Sequence, residues 1–173
     1  MNSITLDHHV YDDICDTWRK RRSDPQPVIE LDIQFDPADM GDLGFRVNKS
    51  TPSKTPPVSY SSLPDTGCQS CLSGTNLLSR LNIHQASLIS VVMRMNAANE
   101  KGINLLGALP LRITGTSPTG SLHTTRQLVY FTDSTNKLFL SKQACASLGI
   151  ISKQFPTIGE ALGTTDTLCI THI

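Results

Sequence analysis

Leu63-Pro64-Asp65-Thr66-Gly67-Cys68-Gln69-Ser70-Cys71 is the stretch on which the reading of this chain turns. An Asp-Thr-Gly triplet arises by chance in about 3 or 4 of every hundred chains of this length, so its neighbours must decide what it is. Upstream, Val58 to Leu63 reads as a strand that delivers Asp65 at its end. Downstream, GTNLLSRLN offers Thr75 as a helix cap, Leu77, Leu78 and Leu81 at helical spacing, and Asn82 as a left-handed stop. The triplet therefore sits between a strand and a short helix.

Further out, VIELDIQF alternates strictly. Ile29, Leu31, Ile33 and Phe35 share one face and Glu30, Asp32 and Gln34 the other, the period of a half-buried strand. Residues 36–57, rich in Pro, Lys, Ser and Thr, favour turns and extended solvated backbone, so a long surface loop is expected there. LISVVMRMNAANEKGINLLGALPLRITG has two apolar runs around a polar tip, Asn96 to Gly102. It predicts a long β-hairpin with Asn99 and Gly102 as turn formers and with Arg94 and Lys101 solubilising the tip. RQLVYFTD and KLFL predict two more strands around a turn at Asp133 to Asn136. Ser141 then caps a short helix, KQACASL, that stops at Gly149. Short strands, long hairpins and two short helices make a mostly-β domain of Greek-key or barrel character. We divide the chain into a polar N-terminal arm (1–27), a folded domain (28–158) and an unpatterned tail (159–173).

The 173 residues suit one domain, and 38% hydrophobic content supplies a modest core. Lys plus Arg equals Asp plus Glu at 15 each, which argues against a nucleic-acid or anionic-membrane partner. The basic run Trp18 to Asp24 reads as part of a solvated arm. The first thirty residues lack the apolar run of a signal peptide, and the longest apolar stretch, near Leu88 to Met93, is too short to span a bilayer. A soluble, cytoplasmic protein is expected. Five cysteines at irregular spacing predict reduced thiols rather than a disulfide framework.

The order of these elements, with DTGCQSC, NLLSRLNI, MRMNAANEKGINLLGALPLRI and LVYFTDSTNKLFLSKQACASLGIISKQFP, resembles the retropepsins, the aspartic proteases of retroviruses and long-terminal-repeat retrotransposons. The resemblance covers about residues 28–156 and is most specific to protease segments of retrotransposon polyproteins. It implies a closed barrel-type acid protease fold with one or two short helices. It also implies that Asp65 is the catalytic aspartate with Thr66 and Gly67 as its companions. Ala97, Ala98, Asn99, Glu100, Lys101 and Gly102 then form the tip of a substrate-covering flap, and Phe139-Leu140-Ser141 match the step before the C-terminal helix.

The chemistry agrees with those roles. Peptide hydrolysis without a metal or covalent nucleophile needs one group to take a proton from water and another to protonate the scissile carbonyl. Two carboxylates a hydrogen bond apart do both, because like charges that close share a proton. One Asp-Thr-Gly supplies only one carboxylate, and Asp16-Thr17 and Asp166-Thr167 lack the glycine. The expected solution is a homodimer in which two copies of Asp65 meet on a two-fold axis. The expected function is an aspartic endopeptidase acting on an extended polypeptide with no cofactor and no metal. The alternative is a catalytically silent domain of the same fold that dimerises or binds peptides. The sequence departs from the family pattern at Pro64, where apolar residues are usual, at Cys68, where a smaller residue is usual, and at Ser141, where glycine is usual.

Other constellations are weaker. Cys68-x-x-Cys71 with Cys169-x-x-His172 has the ligand types of a Cys3His zinc site and makes a zinc-stabilised module a third reading. A thioredoxin-like use of Cys68 and Cys71 lacks its βαβ context. His8, His9, Asp12 and Asp13 read as a solvated polar cluster, and His84 and His123 as surface histidines.

Overall fold

The computed structural model describes residues 26–97 and 101–158. Strand β1 (Ile29–Gln34) keeps the alternation seen in the sequence. Leu31, Ile33 and the following Phe35 are buried, while Glu30 and Asp32 face solvent. It pairs antiparallel with β2 (Val58–Pro64), bringing Ile29 opposite Ser62 and Ile33 opposite Val58. Four further strands complete a closed barrel: β3 (Cys71–Gly74), β6 (Leu105–Thr116), β7 (Leu122–Thr132) and β8 (Leu138–Leu140), in the order β1-β2-β8-β3-β7-β6. With its short helices this is the mostly-β, closed-barrel architecture expected. Closure leaves the strands without a long exposed edge around the core.

The interior is filled by Phe35, Leu77, Leu109, Leu111, Ile113, Val129, Phe131, Leu138 and Leu140, each fully buried. A side chain of this size contributes about 1.5–3 kcal/mol by leaving water, so this cluster dominates the favourable side of folding.

Two pairings are parallel, β2 with β8 and β3 with β7. Parallel neighbours end on the same rim, so the carboxyl ends of β2 and β8 emerge side by side. This brings Asp65, just after β2, next to the start of helix α3 (Lys142–Ser147), just after β8. Pro64 is compatible with this because it is the last residue of β2. The ladder continues past it through the Asp65 amide, which donates to the Leu140 carbonyl at 3.0 Å.

Strand β3 is absent from the sequence reading. All four of its residues are buried, so it shows no alternation, and only its place between β7 and β8 makes it a strand. Gly74 at its end lies under the β7–β8 connection, where an added Cβ would fall 2.0 Å from the Thr135 carbonyl oxygen. Helix α2 (Asn76–Arg80) follows as expected and buries Leu77 and Leu78, and Asn82 takes the left-handed conformation with φ 54°. Thr75 holds the N-cap position with helical dihedrals and no side-chain capping bond.

Two segments differ from the sequence expectation. Within the stretch read as a long loop, Pro37–Asp42 forms helix α1. The Asp36 side chain caps it by accepting from the Ala38 amide at 3.0 Å, and Pro37 opens the first turn. The helix exists because Met40 and Asp39 are buried. Arg112 of β6 grips Asp39 with two bonds of 2.8 and 3.2 Å, and Arg126 of β7 bonds Asp42. The predicted long hairpin is also redistributed. Only β4 (Met95–Asn96) and β5 (Gly102–Ile103) pair across the tip, Met95 opposite Ile103. Ahead of them the chain is bridged to the barrel at Ile89 and Ala108, and Leu88 and Ile89 pack against the core. The second apolar run instead becomes β6 and pairs with β7 and β1, which buries Leu109, Leu111 and Ile113 completely inside the barrel.

No helix among the described residues is long and apolar enough to cross a membrane. The arm up to residue 25, with its basic run, the Asp16-Thr17 pair and the His8, His9, Asp12 and Asp13 cluster, lies outside the described residues. So do Ala98, Asn99 and Glu100 and the tail from residue 159, which carries Asp166, Thr167, Cys169 and His172.

Candidate active site

The turn after β2 is built by its own backbone. Asp65 Oδ1 accepts from the Gly67 amide at 3.0 Å, and the Cys68 amide donates to the Asp65 carbonyl at 3.0 Å. Residue 67 is tight: a Cβ there would sit 3.3 Å from Asp65 Oδ1. Glycine thus leaves the carboxylate room beside the amide that orients it. The other end of the turn is fixed to α3, where the Lys142 amide donates to the Cys68 carbonyl at 3.1 Å. Ser141 caps α3, its Oγ accepting from the Ala144 amide at 3.2 Å, and its own amide meets Cys71 Sγ at 3.4 Å. At Ser141 the serine therefore performs a capping role.

Asp65 is half-buried, while Thr66 and Gly67 are exposed. Asp65, Gly67 and Cys68 line a cleft of about 910 Å³. Its walls come from Leu72 of β3, Phe139 of β8, Thr132, Ser134 and Thr135 at the end of β7, and Met93, Arg94, Met95, Asn96, Ala97 and Ile103 from the β4–β5 hairpin and the chain leading into it. Asp65 is the one carboxylate among those lining residues. A second cleft of about 470 Å³, lined by Tyr60, Arg80 and Lys137 among others, has no carboxylate among its described lining residues.

Of the residues singled out in the sequence, the structure brings Asp65, Gly67 and Ala97 to one cleft, with Cys68 and Phe139 beside them. Thr66 is exposed and does not line the cleft, and Lys101 and Gly102 are exposed at the hairpin. The sequence reading missed Leu72, Met93, Ser134 and Thr135 as wall residues and assigned Arg94 only a solubilising role. The alternation of Met93 and Met95 was a usable signal for one wall. Nothing local marked the β7–β8 connection as the other.

The acid stands among neutral thiols. Burial pushes the Cys68 thiol above its ordinary range, and the nearby Asp65 carboxylate adds to the effect. Cys145 is raised by burial too, opposed by the Asp65 backbone and reinforced by Cys71 and the Asp65 carboxylate. Cys71 is raised by burial against the bonds it makes with Ser141. Cys68, Cys71 and Cys145 are all free thiols. Among the described residues no group of three or more His, Cys, Asp or Glu is placed to hold a metal ion. The other half of the Cys3His arrangement, Cys169 and His172, falls outside them.

No protein-family model matches the chain, and no curated protein matches it. Among solved structures it is similar to the EIAV protease complexed with the inhibitor HBY-793. The identity is 16%, the match covers 73% of this chain and 91% of that chain, and the TM-score is 0.41.

Proposed function

We propose that this chain is one subunit of a homodimeric aspartic endopeptidase of retropepsin type, from the protease segment of a retrotransposon or retroviral-type polyprotein, with residues 28–158 as the protease domain. The observation that carries the reading is the Asp65 carboxyl. It is the single acid among the described residues lining the large cleft, oriented by the Gly67 amide on a turn anchored to both β8 and α3.

A single carboxylate cannot be base and acid at once, so a second Asp65 arrives from another copy across a two-fold axis. The pair shares one proton. The ionised member takes a proton from water as its oxygen attacks the scissile carbonyl carbon, and the protonated member gives its proton to the carbonyl oxygen. The tetrahedral diol then collapses. Its C–N bond breaks as the dyad gives its proton to the amine nitrogen and takes one from a diol hydroxyl, which becomes the carbonyl of the acid product, so the shared-proton state returns. Thr66 is suited to lock the two turns together, since its side chain is exposed and makes no hydrogen bond within the described chain. The hairpin of β4 and β5 closes over an extended polypeptide, adds backbone hydrogen bonds and excludes water.

The test is a cleavage assay on peptides spanning candidate polyprotein junctions, run with wild type and Asp65→Asn at several protein concentrations alongside a measurement of mass in solution. The proposal expects turnover that tracks the dimer fraction and disappears in the variant. Equal turnover by both proteins removes Asp65 from the mechanism. Turnover by a strict monomer removes the dyad. A dimer with no turnover by either protein points to the catalytically silent domain.

A further inference from the structure

We infer that Arg94 makes the cleft selective for polypeptides carrying an Asp or Glu side chain close to the scissile bond. The inference rests on the reading of this cleft as a peptide-binding site and adds a substrate class to it. Arg94 precedes β4 and is part of the cleft wall, between Met93 and Met95, which line the same wall. Its side chain is exposed and has no ion-pair partner among the described residues. This contrasts with Arg112 and Arg126, which are engaged by Asp39 and Asp42.

Among the described lining residues two are charged, Asp65 and Arg94. In the proposed mechanism the Asp65 pair is committed to its shared proton, so among the described lining residues Arg94 is the one cation available to a substrate side chain. Ser134 and Thr135 also line the cleft, so its wall is not purely apolar. A carboxylate entering beside Arg94 meets a planar five-donor fork, with Asp65 the one acid among the described lining residues. A lysine or arginine at the same place meets like charge. In a dimer the two-fold axis supplies a second Arg94, so acidic residues on either side of the scissile bond are served.

The discriminating experiment uses the full-length chain carrying Asp65→Asn, so that binding is read without hydrolysis. Fluorescence anisotropy compares extended peptides identical except for Glu, Gln or Lys at each position within three residues of a central apolar pair. At one or more positions the Glu peptide is expected to bind about fivefold tighter than the Gln peptide, a factor set by a solvent-accessible charge pair. The Lys peptide is expected to be weaker than both. The preference shrinks with added salt and disappears as pH falls below about 4, where the peptide carboxylate protonates. Arg94→Gln brings the Glu peptide to the Gln level, and Arg94→Glu inverts the order of Glu and Lys. Equal binding of the three peptides at every position, absence of binding to all of them, or a Glu preference that survives Arg94→Gln overturns the inference. Wild-type turnover is scored separately. A chain that binds Glu peptides selectively yet cleaves nothing sinks the protease reading and leaves the selectivity standing.

Discussion

The Asp65 amide donates to the Leu140 carbonyl at 3.0 Å, which welds the acid-bearing turn to the residue just before the cap of α3. With the Lys142 amide bonded to the Cys68 carbonyl, the turn and the helix start form one backbone unit. The position of the carboxylate therefore depends on how well α3 is capped.

Ser141→Ala removes the side-chain acceptor of the Ala144 amide and the hydroxyl beside Cys71. We expect a stability loss of about 1 kcal/mol, and only a few tenths for Ser141→Gly, since glycine is tolerated at an N-cap. Urea midpoints at constant slope measure both. An alanine variant as stable as wild type refutes the capping role.

Two glycines separate activity from stability. In Gly67→Ala the new methyl presses on Asp65 Oδ1 at 3.3 Å, on an exposed turn. Stability should change by under about 1 kcal/mol, while peptide turnover falls about tenfold through misplacement of the carboxylate. In Gly74→Ala the methyl meets the Thr135 carbonyl at 2.0 Å, inside the sheet. There the backbone must move, and we expect a loss of about 3 kcal/mol. The pattern fails if the two variants show the same ratio of lost stability to lost turnover.

Asp39 is 1% exposed, with Arg112 bound to both of its oxygens. Arg112→Ala leaves that carboxylate buried and short of a partner, at a cost of about 2–3 kcal/mol. This is discounted from the fully buried case because the arginine is one-third exposed and Arg126 lies 3.6 Å away. Replacing both members, as Asp39→Leu with Arg112→Met, should recover most of the loss. A double variant as unstable as the single one shows that packing, not charge, holds α1 to the barrel.

Asp36 supplies the pH dependence of the same helix. The Ala38 amide bond, helped by Lys54 and Arg112, holds its carboxyl below the ordinary value of 3.8. A carboxyl with a depressed folded pKa stabilises above its unfolded value, and that stability is lost as pH falls through the lower folded value. Asp36→Asn keeps a capping oxygen but loses the charge. Its stability curve should therefore be flatter than that of wild type below about pH 4. Parallel curves in acid remove Asp36 as the source.

The thiols should react in the order of their exposure. Cys68 is half-buried at the cleft, and Cys71 and Cys145 are buried. With each thiol held above its ordinary pKa, alkylation by iodoacetamide should be slow at neutral pH and still accelerating above pH 9. Mapped by mass spectrometry, Cys68 should label well before Cys71 and Cys145, which wait for unfolding. Labelling of Cys145 ahead of Cys68 contradicts the placement.

Much of the fold was legible because its signals are local. The alternation of Leu31 and Ile33, the Ser141 cap, the left-handed Asn82 and the arrival of Asp65 at a strand end each depend on residues within one or two turns of chain. Helix α1 carried a local signal too, Asp36-Pro37, but its polar composition concealed it. Its burial depends on Arg112, 73 residues beyond Asp39.

Local periodicity and capping chemistry thus determined where most strands and helices begin and end, and which carboxylate stands at a turn. Only the tertiary structure decided that β3 is a strand, that the second half of the expected hairpin belongs to the barrel, and that Arg94, Leu72, Phe139 and Thr135 share one cleft with Asp65. The physical reason is range. Parallel pairing of β2 with β8 and of β3 with β7 joins segments far apart in the chain, and its register is set by which apolar side chains fill the common interior, a property that no short window of residues contains.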